Sequence, residues 1–155
     1  MMLRPMGALF GYFAAADDDD ALGAVVRDDD EPFGTGYDGT VVKGLDPVVA
    51  LGPAEELLTG RSAAELRADP RCGGLVGTSE DGEALVLSLS DALRDALARC
   101  GDAAPAEVAA RWAATDGLFP GVPDPEHLAD FLRELAALAA RAAARGGRLY
   151  CWVCP

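Results

Sequence analysis

The sequence predicts a single α+β domain, with a small mixed or antiparallel sheet packed against several helices. Three observations predict it. Apolar residues recur at spacings of three and four through 124–145, the period of one face of a helix. Short runs rich in aromatic and branched residues lie at 6–15, 37–45, 75–89 and 148–153, bounded by turn formers, which is how strands read. The chain has 155 residues, half of them hydrophobic. A chain of this size buries about 70% of its unfolded surface and needs no disulfide or metal to hold it.

The elements follow in order. Segment 6–15 is aromatic-rich and reads as a buried strand. Asp17, Asp18, Asp19 and Asp20 then cap and charge the first turn of a short helix running to about residue 27, with Leu22, Val25 and Val26 as its apolar stripe. Asp28, Asp29, Asp30, Glu31 and Pro32 end it as a charged loop. A second strand centres on Val41 and Val42. Asp46 and Pro47 start a helix, which Pro53 breaks into two turns closing near Gly60. Ser62 to Glu65 forms a capping box for another short helix, stopped by Asp69 and Pro70. Asp81 and Gly82 mark the turn of a hairpin between 75–78 and 84–89. Ser90 and Asp91 cap a helix to Cys100, and a further helix covers 105–115. The clearest element is 124–145. Leu128, Phe131, Leu135, Leu138 and Ala142 line one face, acids come early, arginines come late, and Gly146 and Gly147 stop it. A strand at 148–153 follows.

Charge narrows the function classes. There are 26 acids, 13 bases and one histidine, a formal net charge of −13. Such a surface repels phosphates, which argues against nucleic acid or an anionic membrane as the main target. No apolar run approaches the roughly 20 residues of a membrane-spanning helix. The chain lacks Ile, Asn and Gln and has Lys43 as its only lysine, which looks like GC-rich codon bias in a bacterium. Arg4 and the run to Ala16 crudely resemble a signal peptide, but Gly7 and Gly11 interrupt the run and Phe10, Tyr12 and Phe13 suit a strand. The expectation is a cytoplasmic protein.

Cys151 and Cys154 form a Cys-x-x-Cys, a spacing that holds zinc or works as a redox pair. A structural zinc needs four ligands, and Cys72, Cys100 or His127 would have to complete the set. Cys100, however, falls on the apolar face of its helix, seven residues after Leu93, where a small core residue belongs. A reactive pair wants a helix N-terminus, whereas this one lies on a strand that points positions 151 and 154 to opposite faces. The bland reading is four ordinary thiols in a reducing compartment, and no cofactor is expected. Gly34, Gly36 and Gly39 formally match a dinucleotide-binding pattern, but no strand precedes them and no helix follows, and four carboxylates stand beside them. The two acidic runs, Asp17 to Asp20 and Asp28 to Glu31, lack the turn glycine of a calcium loop. They suit capped helix ends or, functionally, a surface for a basic partner. Tyr12, Trp112 and Trp152 are candidates to line a ligand pocket, although such residues more often build the core.

The order of short motifs is similar to the YfbM-like bacterial domain family. The match runs through Met6-Gly-Ala-Leu-Phe-Gly-Tyr-Phe13, Leu57-Leu-Thr-Gly60, Asp69-Pro70, Leu75-Val-Gly77, Glu80-Asp-Gly82 and Phe119-Pro-Gly-Val122. The resemblance implies a single α+β domain. It implies no activity and carries over no catalytic residue. The chain departs from the family in its glycine-rich 32–44 segment and in Cys151 and Cys154.

The expected function is therefore a non-catalytic binding or regulatory module, of the immunity type for instance, that meets a basic protein partner through Asp17 to Asp20 and Asp28 to Glu31. The alternative is a small-molecule-binding protein or enzyme with a pocket lined by Tyr12, Trp112 or Trp152. A zinc or redox protein using Cys151 and Cys154 comes third.

Overall fold

The computed structural model describes residues 9–26, 38–43, 45–79, 82–115 and 123–154. Their elements, in chain order, are β1 (Leu9–Ala15), α1 (Asp18–Val26), β2 (Asp38–Lys43), α2 (Gly52–Thr59), α3 (Ala63–Ala68), β3 (Leu75–Thr78), β4 (Leu85–Ser88), α4 (Asp91–Arg99), α5 (Ala104–Ala113), α6 (Pro125–Ala144) and β5 (Arg148–Cys154). The expected α+β class holds, and the sheet is antiparallel throughout, with strand order β2-β1-β5-β4-β3. Strand β5 lies between β1 and β4, placing Tyr12 opposite Cys151, Phe13 opposite Tyr150, and Trp152 opposite Val86.

Alternation along the strands gives the sheet two unequal faces. Phe10, Tyr12 and Ala14 of β1 and Leu149 and Cys151 of β5 face the main core. Helix α6 covers that face, with α4 and α5 packed beside it and α2 beyond them. Its predicted stripe is the buried one: Leu128, Phe131, Leu135, Leu138 and Ala142 are all inside, joined by Leu132 and Ala139. Each such Leu or Phe contributes roughly 1.5–3 kcal/mol on burial. The Phe131 ring meets the Tyr12 ring edge-on, with centroids 5.2 Å apart. Phe13, Ala15, Val86, Tyr150 and Trp152 form a smaller core on the opposite face, where Ala21 of α1 covers them. Helix α1 approaches β3 closely. A Cβ at Gly77 would meet the tip of the Leu22 side chain, which would have to shift to make room for it.

The caps explain the boundaries. Asp17 Oδ1 accepts the Asp20 amide at 2.9 Å, and Ser62 and Glu65 make the predicted reciprocal box. Asp124 accepts the Glu126 amide at the start of α6. At its other end the chain must turn under β1. A Cβ on Gly147 would stand 2.8 Å from the Ala15 carbonyl oxygen, which no larger residue tolerates.

Two local readings are corrected. The 46–51 stretch is a turn and not a helix: the Asp46 carboxylate accepts the amides of Val48, Val49 and Ala50 and curls the chain around itself. The helix proper begins at Gly52, with Pro53 in its first turn, where a missing N–H costs nothing. Cys100 is not on the buried face of α4. The helix ends at Arg99, and Cys100 has extended backbone angles, which swing it off the stripe to a half-buried position. The predicted Asp28 to Glu31 loop, the 34–36 glycines, Asp81 and the Phe119-to-Val122 motif lie outside the described residues.

Candidate functional site

The acidic start of α1 is the predicted site that the structure builds most fully. Asp17, Asp18, Asp19 and Asp20 are all exposed. Two of them serve the helix end, since Asp17 caps Asp20 and Asp20 Oδ2 accepts the Ala16 amide at 2.9 Å. Asp18 does something different. Its two oxygens receive Arg71 Nη1 at 2.8 and 3.0 Å, and the Tyr150 hydroxyl donates to Oδ1 at 2.7 Å. The Arg71 guanidinium lies 5.6 Å above the Tyr150 ring, a cation–π distance. Ser88 Oγ, from β4, donates to the Arg71 carbonyl at 2.8 Å and holds that loop to the sheet.

The electrostatics agree with the geometry. The Arg71 and Tyr150 hydrogen bonds hold the Asp18 carboxyl below its ordinary range. Burial, and then the bond to anionic Asp18, push the Tyr150 phenol up to about 12, so it stays a donor at neutral pH. Asp18 is therefore an anion locked to the sheet, and Asp19 beside it is left to solvent. Sequence reasoning found the acids, and marked Tyr150 as a core aromatic with a polar tip to satisfy, but missed Arg71 and the pairing of both with Asp18. Nothing local marks that pairing, because Arg71 and Tyr150 stand 53 and 132 residues from Asp18.

A second polar cluster is buried. Glu55 of α2 is 2% exposed. Ser90 Oγ donates to its Oε2 at 2.6 Å and Cys72 Sγ to its Oε1 at 3.6 Å. Ser90 Oγ also accepts the Leu93 amide, so one hydroxyl caps α4 and satisfies the carboxylate. Burial, followed by the Glu55 charge, pushes the Cys72 thiol up to about 12. A thiol held protonated is a poor nucleophile. The cluster ties α2, the 69–74 loop and α4 together.

The remaining candidates separate. Cys151 is fully buried, and burial pushes its thiol well up; burial also raises that of Cys100. Cys72, Cys100 and Cys151 are unpaired, and the Cys154 side chain lies outside the described set. Among the described residues, no group of three or more His, Cys, Asp or Glu could hold a metal ion. Tyr12 and Trp112 are fully buried and Trp152 is 8% exposed. Tyr12 donates to the Leu45 carbonyl, and Trp112 Nε1 donates to the Ala50 carbonyl at 2.8 Å. These two rings pin the 45–51 turn to the core, so they are packed and anchored rather than gathered round an opening. His127 is exposed on the first turn of α6. No helix among the described residues is long and apolar enough to cross a membrane. Compared with known proteins, the chain matches no family model, no curated protein and no solved structure.

Proposed function

We propose that the chain is a non-catalytic binding module, immunity-type or regulatory, that engages a basic protein partner through the acids at the start of α1. The mounting of those acids carries the reading. Asp18 is clamped by Arg71 and Tyr150, so Asp17, Asp19 and Asp20 are presented on a fixed platform rather than a loose tail. Preorganised charge speeds encounter and sets orientation without an enclosed pocket. A net charge of −13 extends the same field over the molecule. Asp28, Asp29, Asp30 and Glu31 belong to the proposed surface by their sequence. The unpaired, raised-pKa thiols suit a reducing compartment such as the cytoplasm and supply no competing chemistry. The proposed kinship with the YfbM-like family likewise supplies no catalytic residue.

The test is affinity capture on the immobilised chain at two ionic strengths. A basic protein is expected to bind at about 50 mM salt and to leave at about 500 mM, where charges are screened within a few ångströms. Asp19→Lys, which breaks no described hydrogen bond, is expected to weaken capture. Capture of nothing, or capture indifferent to both salt and Asp19→Lys, overturns the reading.

A further inference from the structure

The C-terminal ends of α2 and α4 and the body of α5 converge on an open cleft of about 370 Å³. It belongs to a different part of the molecule from the acids of α1. Its apolar surface includes Leu57 and Leu58 of α2 and Val108 of α5, and the last two also pack on the main core. Leu57 is 37% exposed, so hydrocarbon is open to water here. Arg99, Arg111 and Glu107 supply the charge.

The arginines are the informative part. Acids outnumber bases two to one in this chain, and seven of the ten described arginines have found a carboxylate. Among the described residues only Arg67, Arg99 and Arg111 have no ion pair. Two of these three line the same cleft. Each stands in the last turn of its helix, where it complements the dipole. The dipole explains their positions along the helices, but it does not explain why both line one cleft together with Leu57, Leu58 and Val108.

The geometry points to a binding site for a small aliphatic monocarboxylate, with its hydrocarbon on Leu57, Leu58 and Val108 and its carboxylate between Arg99 and Arg111. The volume falls within the roughly 300–1,000 Å³ of small-molecule sites. Charge-assisted bonds from guanidinium to carboxylate supply orientation, and methylene burial supplies affinity. Glu107 sets the charge limit. One anion can be shared by two guanidinium groups, but a second negative charge would face Glu107. The cleft therefore prefers a fatty-acid-like monoanion to a phosphate. The inference stands apart from the partner-binding proposal, since none of its residues belongs to the α1 surface.

The full chain, labelled with nitrogen-15, is titrated with sodium octanoate, octan-1-ol and sodium phosphate and followed by amide shifts. Octanoate is expected to give saturable shifts at Leu57, Leu58 and Val108. Octan-1-ol and phosphate are each expected to bind at least about tenfold more weakly. Arg99→Ala with Arg111→Ala, both surface changes, is expected to cost octanoate about tenfold or more while the thermal transition stays in place. No saturable shift up to roughly 10 mM octanoate overturns the inference. So does equal affinity for octan-1-ol, unchanged affinity in the double variant, or saturable shifts confined to another part of the molecule.

Discussion

The Tyr150 hydroxyl donates to Asp18 Oδ1 at 2.7 Å, joining the first turn of α1 to the strand at the middle of the sheet. Arg71 completes the contact from the loop before β3. Three distant segments thus share one carboxylate, and α1 is fixed over the smaller core by a polar clamp as well as by Ala21 and Leu22.

Asp18→Ala is expected to lower stability by about 1–2 kcal/mol, because it leaves the Arg71 and Tyr150 donors without their acceptor. The figure stays modest because the Asp18 side chain is half exposed, where water screens and replaces part of the interaction. Asp19→Ala, one residue away, is expected to stay within about 0.5 kcal/mol. Urea midpoints of the two variants decide it, and equal midpoints would remove the clamp from the account.

Asp18 and Asp38 both have folded-state pKa values below the ordinary range, Asp18 through Arg71 and Tyr150, Asp38 through its bond with Arg141. In acid the unfolded chain binds more protons at these sites than the folded one. Their contribution is therefore fully present above the unfolded value of about 3.9 and is lost as pH falls through the folded values. Thermal midpoints are expected to fall from about pH 5 downward. Asp18→Asn with Asp38→Asn should flatten that fall. A double variant with the wild-type slope contradicts the assignment.

Leu135 is fully buried at the centre of the α6 stripe. Leu135→Ala is expected to cost about 2–5 kcal/mol. Leu135→Asp is expected to unfold the domain, because no cation stands ready for the new charge. Circular dichroism of both proteins reads the outcome, and a cooperatively folded Leu135→Asp would refute the packing described above.

Ser90→Ala removes the α4 cap and one donor to the buried Glu55 carboxylate in a single change. The lost cap costs about 1 kcal/mol, and the orphaned acceptor about 1–3 kcal/mol. Exposed caps such as Ser62 should show only the first of these. Chemical denaturation of Ser90→Ala and Ser62→Ala compares them, with the larger loss expected at Ser90.

Cys72 is expected to resist alkylation in the folded protein. Raising a thiol from its ordinary value of 9.0 to about 12 leaves roughly 1,000-fold less thiolate near neutral pH. Iodoacetamide labelling followed by peptide mapping, with and without denaturant, measures the ratio. Labelling of native Cys72 at the rate of an unfolded thiol would show that the Glu55 cluster is open.

Legibility in the sequence followed the range of the interaction. Helix α6 was readable because periodicity, Asp124, Pro125 and the closing glycines all lie within one local stretch, and each points to the same element. The β3–β4 hairpin was readable for the same reason. The 46–51 turn was misread because Asp46 before Pro47 is a helix-start signal, and the local rule does not say whether the carboxylate will cap a helix or wrap its own loop. Cys100 was misplaced by extending a helical stripe one residue past the last turn. The strand order and the Arg71 clamp depend on residues brought together from afar, and no window of sequence holds both members.

Strands β1 and β4 do not touch; each is bonded to β5 and relies on it. On the ribosome, the strands made first must wait, with open edges, until β5 has been made and has emerged. Until β5 pairs, nothing joins β1 to β4, and Phe10, Tyr12 and Val86 lack the neighbouring strand that helps to bury them. Closure is a late event built from sequence-distant pairings, the kind that folds slowly and tempts neighbouring chains to fill the gap. Shielding of the growing chain thus matters more for this protein than for one whose central strand is made early.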